Sequence, residues 1–327
     1  MRYISLLPSV VIVNGKSKSA VFNMDAGMYD SIPSSWGLFL TSVSQQRSIA
    51  IDIFTEEALL YSIDPLEMRE FLLFNNLAIE SDFSIPFQNT TLSNWDIPFE
   101  FESLIVDANT ENDSLKFIEL LPNFRLSRFT QVRLFFKSSL LHLRQVIAKL
   151  VAKGYFNIEF IVNYSNNEQL SNYLKLLDDY PFHLSKIILM GAERDEMCGK
   201  RMVLNKKVLS NCSACGIISE NLLSINIETY AKYLRGNTCL WKKISVSSNG
   251  DVKHCPSMSF SYGRLGEIDF LDVKKDSRYK LFSEIKKSEI PICCDCEYRV
   301  FCTDCRCYIV NPLDIYSKPR KCRYSPY

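Results

Sequence analysis

Alternating apolar and polar positions near the start of the chain predict a pair of strands. Val10–Val13 and Ser19–Asn23 show this alternation on either side of Asn14-Gly15, a dipeptide that favours a tight hairpin turn. Helical spacing of apolar residues then predicts two helical stretches: Ser31–Ser42, and Thr55–Asn75 with a break near Asp64-Pro65. A hairpin followed by helices predicts a winged-helix-like module over residues 1–85.

The pattern changes in the middle of the chain, where strands and helices alternate. The predicted strands are Gln131–Phe136, Asn157–Tyr164 and Ser185–Met190, and the predicted helices between them are Ser139–Lys153 and Glu168–Asp179. Short connections between such elements are typical of βαβ units. Residues 86–220 are therefore predicted to form an α/β segment with a parallel sheet.

Composition and net charge argue against some classes of binding partner. The chain has 327 residues, and its net charge of +1 implies no general attraction to nucleic acid or to an anionic membrane. No apolar run reaches the length of a membrane-spanning helix, and the apolar run in Met1–Pro8 is too short for a signal peptide. We therefore expect a cytoplasmic protein without nucleic-acid or membrane partners, in a compartment where thiols stay reduced.

Cysteine spacing is the most informative chemical feature of the chain. Nine of the twelve cysteines lie between Cys239 and Cys322. They follow the order Cys239-x10-Gly250-x4-Cys255, then Cys293-x2-Cys296-x5-Cys302-x2-Cys305, and finally Cys322. A disulfide framework would explain the number of cysteines but not the repeated x2 spacing, which suits chelation of a metal centre.

Cys239 and Cys255 flank a second predicted hairpin, whose turn is Asn249-Gly250. The two strands of a hairpin end side by side. We therefore predict that these two sulfurs belong to one centre, although fifteen residues separate them.

The order of these residues resembles the SPASM domain, the auxiliary-cluster domain of radical SAM enzymes that modify peptides and proteins. The resemblance covers residues 236–325 and implies two auxiliary [4Fe–4S] clusters. Its implied ligands are Cys239, Cys255 and a cysteine near Arg306 for the first cluster, and Cys293, Cys296, Cys302 and Cys322 for the second.

This sequence departs from the family pattern at Arg306, where a cysteine is expected. Cys305 is the favoured replacement because Cys302-x2-Cys305 is a common chelating spacing, and Cys307 is the alternative. Cys212, Cys215 and Cys307 are candidates for the remaining ligand of the first cluster, which is otherwise open. Zinc is the alternative metal, since four thiolates suit it equally well.

Radical SAM enzymes carry a Cys-x3-Cys-x2-Cys loop, but residues 1–197 contain no cysteine. The α/β segment is therefore similar to a truncated, partial TIM-barrel-like remnant of the radical SAM barrel. Three segments resemble the SPASM-domain peptide maturases of grasp-with-spasm systems: Cys239-Leu240-x-Lys242-Lys243-Ile244, His254-Cys255-Pro256-Ser257-Met258 and Cys302-Thr303-Asp304-Cys305-Arg306. The resemblance implies a precursor peptide and an ATP-grasp ligase as partners.

The N-terminal module resembles the precursor-peptide recognition element of ribosomal peptide biosynthesis, which binds a leader peptide as an added strand. The residues predicted to bind the peptide are Val11, Val13, Val21 and Asn23. The whole chain is predicted to divide into residues 1–85, 86–220 and the SPASM domain at 221–327. Its predicted function is peptide maturation, with catalytic residues unidentified; the alternatives are a non-catalytic scaffold that presents the precursor to the ligase, or a structural zinc-binding protein.

Overall fold

The computed structural model describes residues 1–46, 48–85, 92, 96–122, 127–165, 168–215 and 218–327. The chain forms two compact units that interleave along the sequence. The first contains Met1–Asp96, Ile217–Cys239 and Glu284–Tyr327, and the second contains Ile97–Gly216 and Leu240–Ser283. The predicted boundary at residue 86 lies outside the described residues.

The first unit contains two three-stranded antiparallel sheets, ordered β5-β1-β6 and β2-β3-β4. Its N-terminal elements, numbered in chain order, are β1 (Tyr3–Leu6), β2 (Val10–Asn14), β3 (Lys18–Asn23), β4 (Met28–Pro33), α1 (Ser34–Gln46), β5 (Ser48–Ala50), α2 (Ile51–Leu60), α3 (Pro65–Phe74) and β6 (Ala78–Ser81). The hairpin predicted at Asn14-Gly15 is confirmed as β2 and β3.

Local capping explains where α3 begins. The side chain of Asp64 accepts hydrogen bonds from the backbone N–H groups of Leu66 and Glu67, and Pro65 occupies the first helical turn. The predicted break near Asp64-Pro65 is therefore confirmed. Helix α1 begins at Ser34 rather than at the predicted Ser31, because residues 31–33 pair with β3 as part of β4.

A buried apolar cluster joins the first strands of this unit to the cysteine-rich end of the chain. Its buried members are Val13, Ala20, Phe22, Ile225, Tyr298, Val300 and Phe301. The rings of Phe22 and Phe301 lie 4.6 Å apart between centroids. The N-terminal sheet and the C-terminal segment therefore share one core.

Backbone hydrogen bonds at the β2–β3 turn strengthen this connection. The N–H of Lys16 donates to the carbonyl of Asp295 at 2.8 Å. The guanidinium of Arg299 donates through Nη1 to the carbonyl of Asn14, also at 2.8 Å. The turn is thus fixed against the residues that surround Cys296.

The second unit is built on a nine-stranded sheet ordered β11-β12-β10-β9-β8-β7-β13-β14-β15. Its strands are β7 (Phe101–Ala108), β8 (Ser127–Lys137), β9 (Ile158–Asn163), β10 (Leu184–Met190), β11 (Glu196–Cys198), β12 (Met202–Asn205), β13 (Lys243–Val246), β14 (Asp251–Lys253) and β15 (Gly263–Arg264). The pairs that join β12, β10, β9, β8, β7 and β13 are all parallel, which confirms the predicted parallel sheet.

Helices connect and flank these strands. They are α4 (Glu111–Leu120), α5 (Leu140–Ala152), α6 (Leu170–Asp179), α8 (Phe270–Val273) and α9 (Ser277–Glu284), while α7 (Ile227–Arg235) belongs to the first unit. Ser139 caps α5 by accepting from the N–H of His142, and Gly154 follows the helix at φ +82°. In the parts of the chain that the structure describes, no helix combines the length and apolarity needed to cross a bilayer.

We expect Gly37→Ala to destabilise the first unit, although alanine has the better helix propensity. A Cβ atom at this position in α1 would overlap the side chains of Ser19 and Asn14. Overpacking of this kind costs about 1–3 kcal/mol, measured as the free energy of unfolding in denaturant. The control is Ser35→Ala on the exposed side of the same helix, which should leave that energy nearly unchanged. Greater stability in Gly37→Ala would contradict the close approach of α1 to the sheet.

Candidate metal centres

Four cysteines line one cavity in the first unit. They are Cys293, Cys296, Cys302 and Cys322, the four residues that the sequence predicts for the second cluster. The space not filled by protein atoms, including the part open to solvent, is about 290 Å³.

Local turns bring these thiols together. The N–H of Cys296 donates to the carbonyl of Cys293 at 3.1 Å, so the x2 spacing forms a single turn with both side chains on the cavity. Cys322 comes from the end of the chain, where its N–H donates to the carbonyl of Pro319 at 3.1 Å. Cys294, which interrupts the spacing, is exposed.

Burial favours the protonated form of three of these thiols, those of Cys293, Cys296 and Cys302. It raises the pKa of Cys293 to about 11 and that of Cys296 to about 12, and it also raises the pKa of Cys302. A metal centre bound here would replace those protons, because thiolates are the ligating form. The set of four sulfurs fits an iron–sulfur cluster held by cysteines.

A buried polar network adjoins the cavity, and sequence analysis did not identify it. The Nζ atom of Lys287 lies 4.0 Å from Sγ of Cys293 and 3.7 Å from Oδ1 of Asp304. Lys287 is 3% exposed and Asp304 is 0% exposed. Burial would lower the pKa of Lys287, but Cys302, Asp304 and Cys293, in their ionised forms, raise it above its ordinary value. Charged residues in a loop give no signal of burial in the sequence.

Arg306, at the position where the resemblance implies a cysteine, is part of the same network. Its Nη2 atom donates to Oδ1 of Asp304 at 2.5 Å, and its Nη1 atom donates to the carbonyls of Ile315 and Ser317 at 2.9 Å each. The side chain is 0% exposed. Through these hydrogen bonds Arg306 fixes the loop that precedes Cys322, at a position where the resemblance implies a metal ligand.

Cys305 and Cys307 lie on either side of Arg306, and their thiols are hydrogen-bonded to each other. This bond lowers the pKa of Cys305 to about 6, with burial acting in the opposite direction. A lowered pKa favours the thiolate, which is the form that binds metal. The choice between Cys305 and Cys307 as the ligand of the first cluster stays a prediction.

The second unit contains three of the predicted ligands. The hydroxyl of Ser257 donates to the carbonyl of Cys212 at 3.1 Å, which places the Cys212–Cys215 segment beside the residues that follow Cys255. Cys255 and Cys215 are close enough to Arg133 to affect its pKa. Burial would lower the pKa of the guanidinium, but Asp107, Cys255 and Cys215 raise it.

Arg133 and Asp107 form a buried ion pair across neighbouring parallel strands. Nε and Nη2 of Arg133 donate to the two carboxylate oxygens of Asp107 at 2.6 and 2.7 Å. The two residues are partners in the register of β7 and β8, near the carboxyl ends of both strands. The guanidinium therefore lies within electrostatic reach of Cys215 and Cys255, while its charge is paired with that of Asp107. No sequence pattern predicts this pair.

The hairpin predicted between Cys239 and Cys255 is confirmed as β13 and β14, with Gly250 at φ +81° in its turn. Cys239 belongs to the first unit, where its N–H donates to Oδ1 of the buried Asn237 at 3.0 Å, and Cys255 belongs to the second. Across the described residues, no three His, Cys, Asp or Glu side chains are grouped as they would be around a single metal ion. This holds for the four-cysteine cavity as well, so both centres stay predictions.

A separate cavity is lined in part by β3 and by β4, the second of which is an edge strand of the sheet ordered β2-β3-β4. Its lining comes from the strands and from the end of α3: Val21, Asn23, Ala26, Met28, Asp30, Phe74, Asn75, Asn76 and Leu77. The space is about 590 Å³, including the part open to solvent. Asp30 is the one charged side chain in this lining, and burial raises the pKa of its carboxyl.

The four residues predicted to bind a peptide occupy different environments. Val11 is half-buried on β2, whereas Val13 is buried in the core shared with Phe301. Val21 and Asn23 line the β4 cavity, and Asn23 uses its amide to bond the carbonyl of Asn76 and the N–H groups of residues 25 and 26. An added strand on β3 is ruled out, because β3 is paired on both sides.

Comparison with known proteins identifies part of the chain. Residues 238–297 match the SPASM family model, which is described as an iron-sulfur cluster-binding domain. This match confirms the resemblance over those residues. A search of curated proteins finds no significant match.

Several solved structures are similar to the chain at low identity. BtrN in an open conformation is 12% identical, with a TM-score of 0.33, and the match covers 62% of this chain and 94% of that one. Streptococcus suis SuiB bound to S-adenosylmethionine is 12% identical with a TM-score of 0.32, covering 99% and 100%. SuiB bound to its precursor peptide SuiA is 10% identical with a TM-score of 0.35, covering 99% and 100%.

We expect Cys296→Ala to lose the metal of the four-cysteine cavity and to lower the melting temperature, because ligation supplies folding free energy in such segments. Iron and zinc per chain are measured by elemental analysis after anaerobic preparation. Cys294→Ala is the matched control, since this neighbouring cysteine is exposed and does not line the cavity. Equal metal content and melting in the two variants would remove Cys296 from the ligand set.

Proposed function

We propose that this protein takes part in the maturation of a ribosomally made peptide, together with an ATP-grasp ligase, in the cytoplasm. The observation that carries the proposal is the cavity lined by four cysteines, in a chain whose residues 238–297 match an iron–sulfur cluster-binding domain. The SPASM resemblance links such domains to peptide modification. The ligase follows from the resemblance to grasp-with-spasm maturases. The compartment follows from the cysteine-rich segment, whose thiols stay free to bind metal in a reducing environment.

The proposed cofactors are two [4Fe–4S] clusters. Cys293, Cys296, Cys302 and Cys322 would hold one cluster, which supplies electron-transfer chemistry when bound. The proposed ligands of the other are Cys239, Cys255 and Cys305, with Cys307, Cys215 and Cys212 as further candidates. Two such clusters contain about eight iron atoms per chain. Stoichiometric zinc without iron would instead support a structural zinc protein.

The proposed architecture has a winged-helix-like module over residues 1–85, a partial TIM-barrel-like segment over 86–220 and a SPASM domain over 221–327. The module would bind the precursor peptide as a strand added to β4, because an edge strand offers unpaired N–H and C=O groups. The adjacent cavity supports this placement. An extended segment with an apolar residue toward Phe74 and a basic residue toward Asp30 suits its lining.

Two roles are consistent with these parts: a scaffold that presents the precursor to the ligase, and an enzyme with chemistry of its own. One observation favours the first role. Residues 1–197 contain no cysteine, so the three-thiolate loop of radical SAM enzymes has no counterpart there. This favours a scaffold that presents the precursor to the ligase. An open iron at the first cluster would favour chemistry of its own or binding of a substrate thiolate, because an open coordination position accepts a ligand.

The assay incubates precursor peptide, ATP-grasp ligase and ATP with and without this protein, and product masses are then measured. If the protein has its own chemistry, we expect new mass shifts unrelated to the loss of water. If it is a scaffold, we expect only faster dehydration by the ligase. Identical product masses and rates in both incubations would contradict the proposed function.

We expect Phe74→Ala to weaken peptide binding about tenfold, equivalent to about 1.4 kcal/mol, because the peptide would bury this ring. Phe74 is 86% exposed in the free protein, so its loss should not change the melting temperature. Leu60→Ala is the matched control, as an 82% exposed apolar residue at the end of α2 that does not line the cavity. Affinities are measured by fluorescence anisotropy with a labelled leader. Equal affinity in both variants would place the peptide elsewhere.

A further inference from the structure

Three cationic side chains line the four-cysteine cavity: Lys287, Arg299 and Lys318. Two of them have other hydrogen-bond partners. Arg299 donates through Nη1 to the carbonyls of Asn14 and Cys296, and Lys318 donates to the carbonyl of Tyr324 at 2.5 Å. Their positive charges are thus directed at backbone oxygens.

Lys287 differs from these two residues, because its ammonium is buried beside the thiols. Its exposure is 3%, and its Nζ atom lies 4.0 Å from Sγ of Cys293, at the outer limit of a hydrogen bond to sulfur. A buried cation is strongly disfavoured unless negative charge is near it. Asp304 supplies one such charge at 3.7 Å.

Asp304, however, is shared with other donors. Its Oδ2 atom accepts from Nδ2 of Asn237 at 2.6 Å, and its Oδ1 atom accepts from Arg306 at 2.5 Å. Lys287 therefore contacts a carboxylate that already has a guanidinium partner. The same ammonium also contacts Sγ of Cys293, and deprotonation of the cysteines on cluster binding would place further negative charge beside it.

We propose that Lys287 fixes a positive charge beside the cluster held by Cys293, Cys296, Cys302 and Cys322, and that this charge raises the reduction potential of the cluster. The inference rests on the proposed iron–sulfur cofactor. Reduction adds one electron and thus one negative charge to the cluster, so a fixed cation stabilises the reduced form more than the oxidised form. Hydrogen bonds to the sulfurs and local charge are known determinants of such potentials. Asp304 acts through Lys287 by holding its ammonium in place.

The test is a reductive titration of anaerobically prepared protein with dithionite as the electron donor, followed by electron paramagnetic resonance. Lys287→Met removes the charge and keeps a side chain of similar length, whereas Lys287→Arg keeps the charge. Lys318→Met is the matched control, because it removes a cation of the same cavity that is bonded to a carbonyl. We expect the equilibrium constant for reduction to fall at least tenfold in Lys287→Met, a shift of about 59 mV to more negative potential.

The same shift should be absent or much smaller in Lys287→Arg and in Lys318→Met. Equal potentials in Lys287→Met and the wild type, or equal shifts in Lys287→Met and Lys318→Met, would overturn the inference. If Lys287→Met takes up no iron, the iron content of Lys287→Arg is the deciding measurement. Normal iron content in Lys287→Arg supports the role of the charge, and absence of iron from this variant overturns the inference. Absence of iron from the wild type would instead refute the proposed cofactor, so the two failures are distinguishable.

Discussion

The packing of Phe22 against Phe301 joins the beginning of the chain to its cysteine-rich end. Apolar residues of β2 and β3 form one side of this core, and residues 298–301 form the other. Cys296 and Cys302 flank the segment that contributes Phe301, so their positions depend on the strands that cover it. Removing residues 1–85 would expose this apolar surface to water. The N-terminal module is therefore best studied by point substitutions that leave its core intact.

Much of the secondary structure could be predicted because its causes are local. Asn14-Gly15 and Asn249-Gly250 specify turns by their backbone preferences, and Asp64-Pro65 specifies the start of α3 by capping. The short strands β1, β5 and β6 were not predicted, since a few residues acquire strand pairing only from neighbours distant in the sequence. Similarly, the sequence predicts a helix that begins at Ser31, whereas Ser31–Pro33 belongs to β4 in the structure. The pairing of these residues with β3 depends on the tertiary fold and leaves no local signal.

The cysteines of the candidate site could likewise be predicted in part. The spacing Cys293-x2-Cys296 forms a turn by itself, and the structure places Cys302 and Cys322 on the same cavity, as the resemblance implies. The polar environment of that cavity was not predictable. Lys287 and Asp304 are seventeen positions apart, and nothing in their local sequence distinguishes them from solvated charges. Whether a charged residue is buried depends on the whole fold. Burial is what distinguishes these two residues from charged residues on the surface.

The β4 edge and the four-cysteine cavity are connected within the first unit by a short physical route. β4 pairs with β3, and the turn between β2 and β3 is hydrogen-bonded to Asp295 and, through Arg299, to the carbonyl of Cys296. A peptide strand added to β4 would stiffen this sheet, since each new backbone pair restricts the strand that accepts it. A turn restricted in this way would leave less freedom to be lost when the cysteines beside it bind metal. By thermodynamic reciprocity, metal that fixes those ligands would favour peptide binding to the same degree.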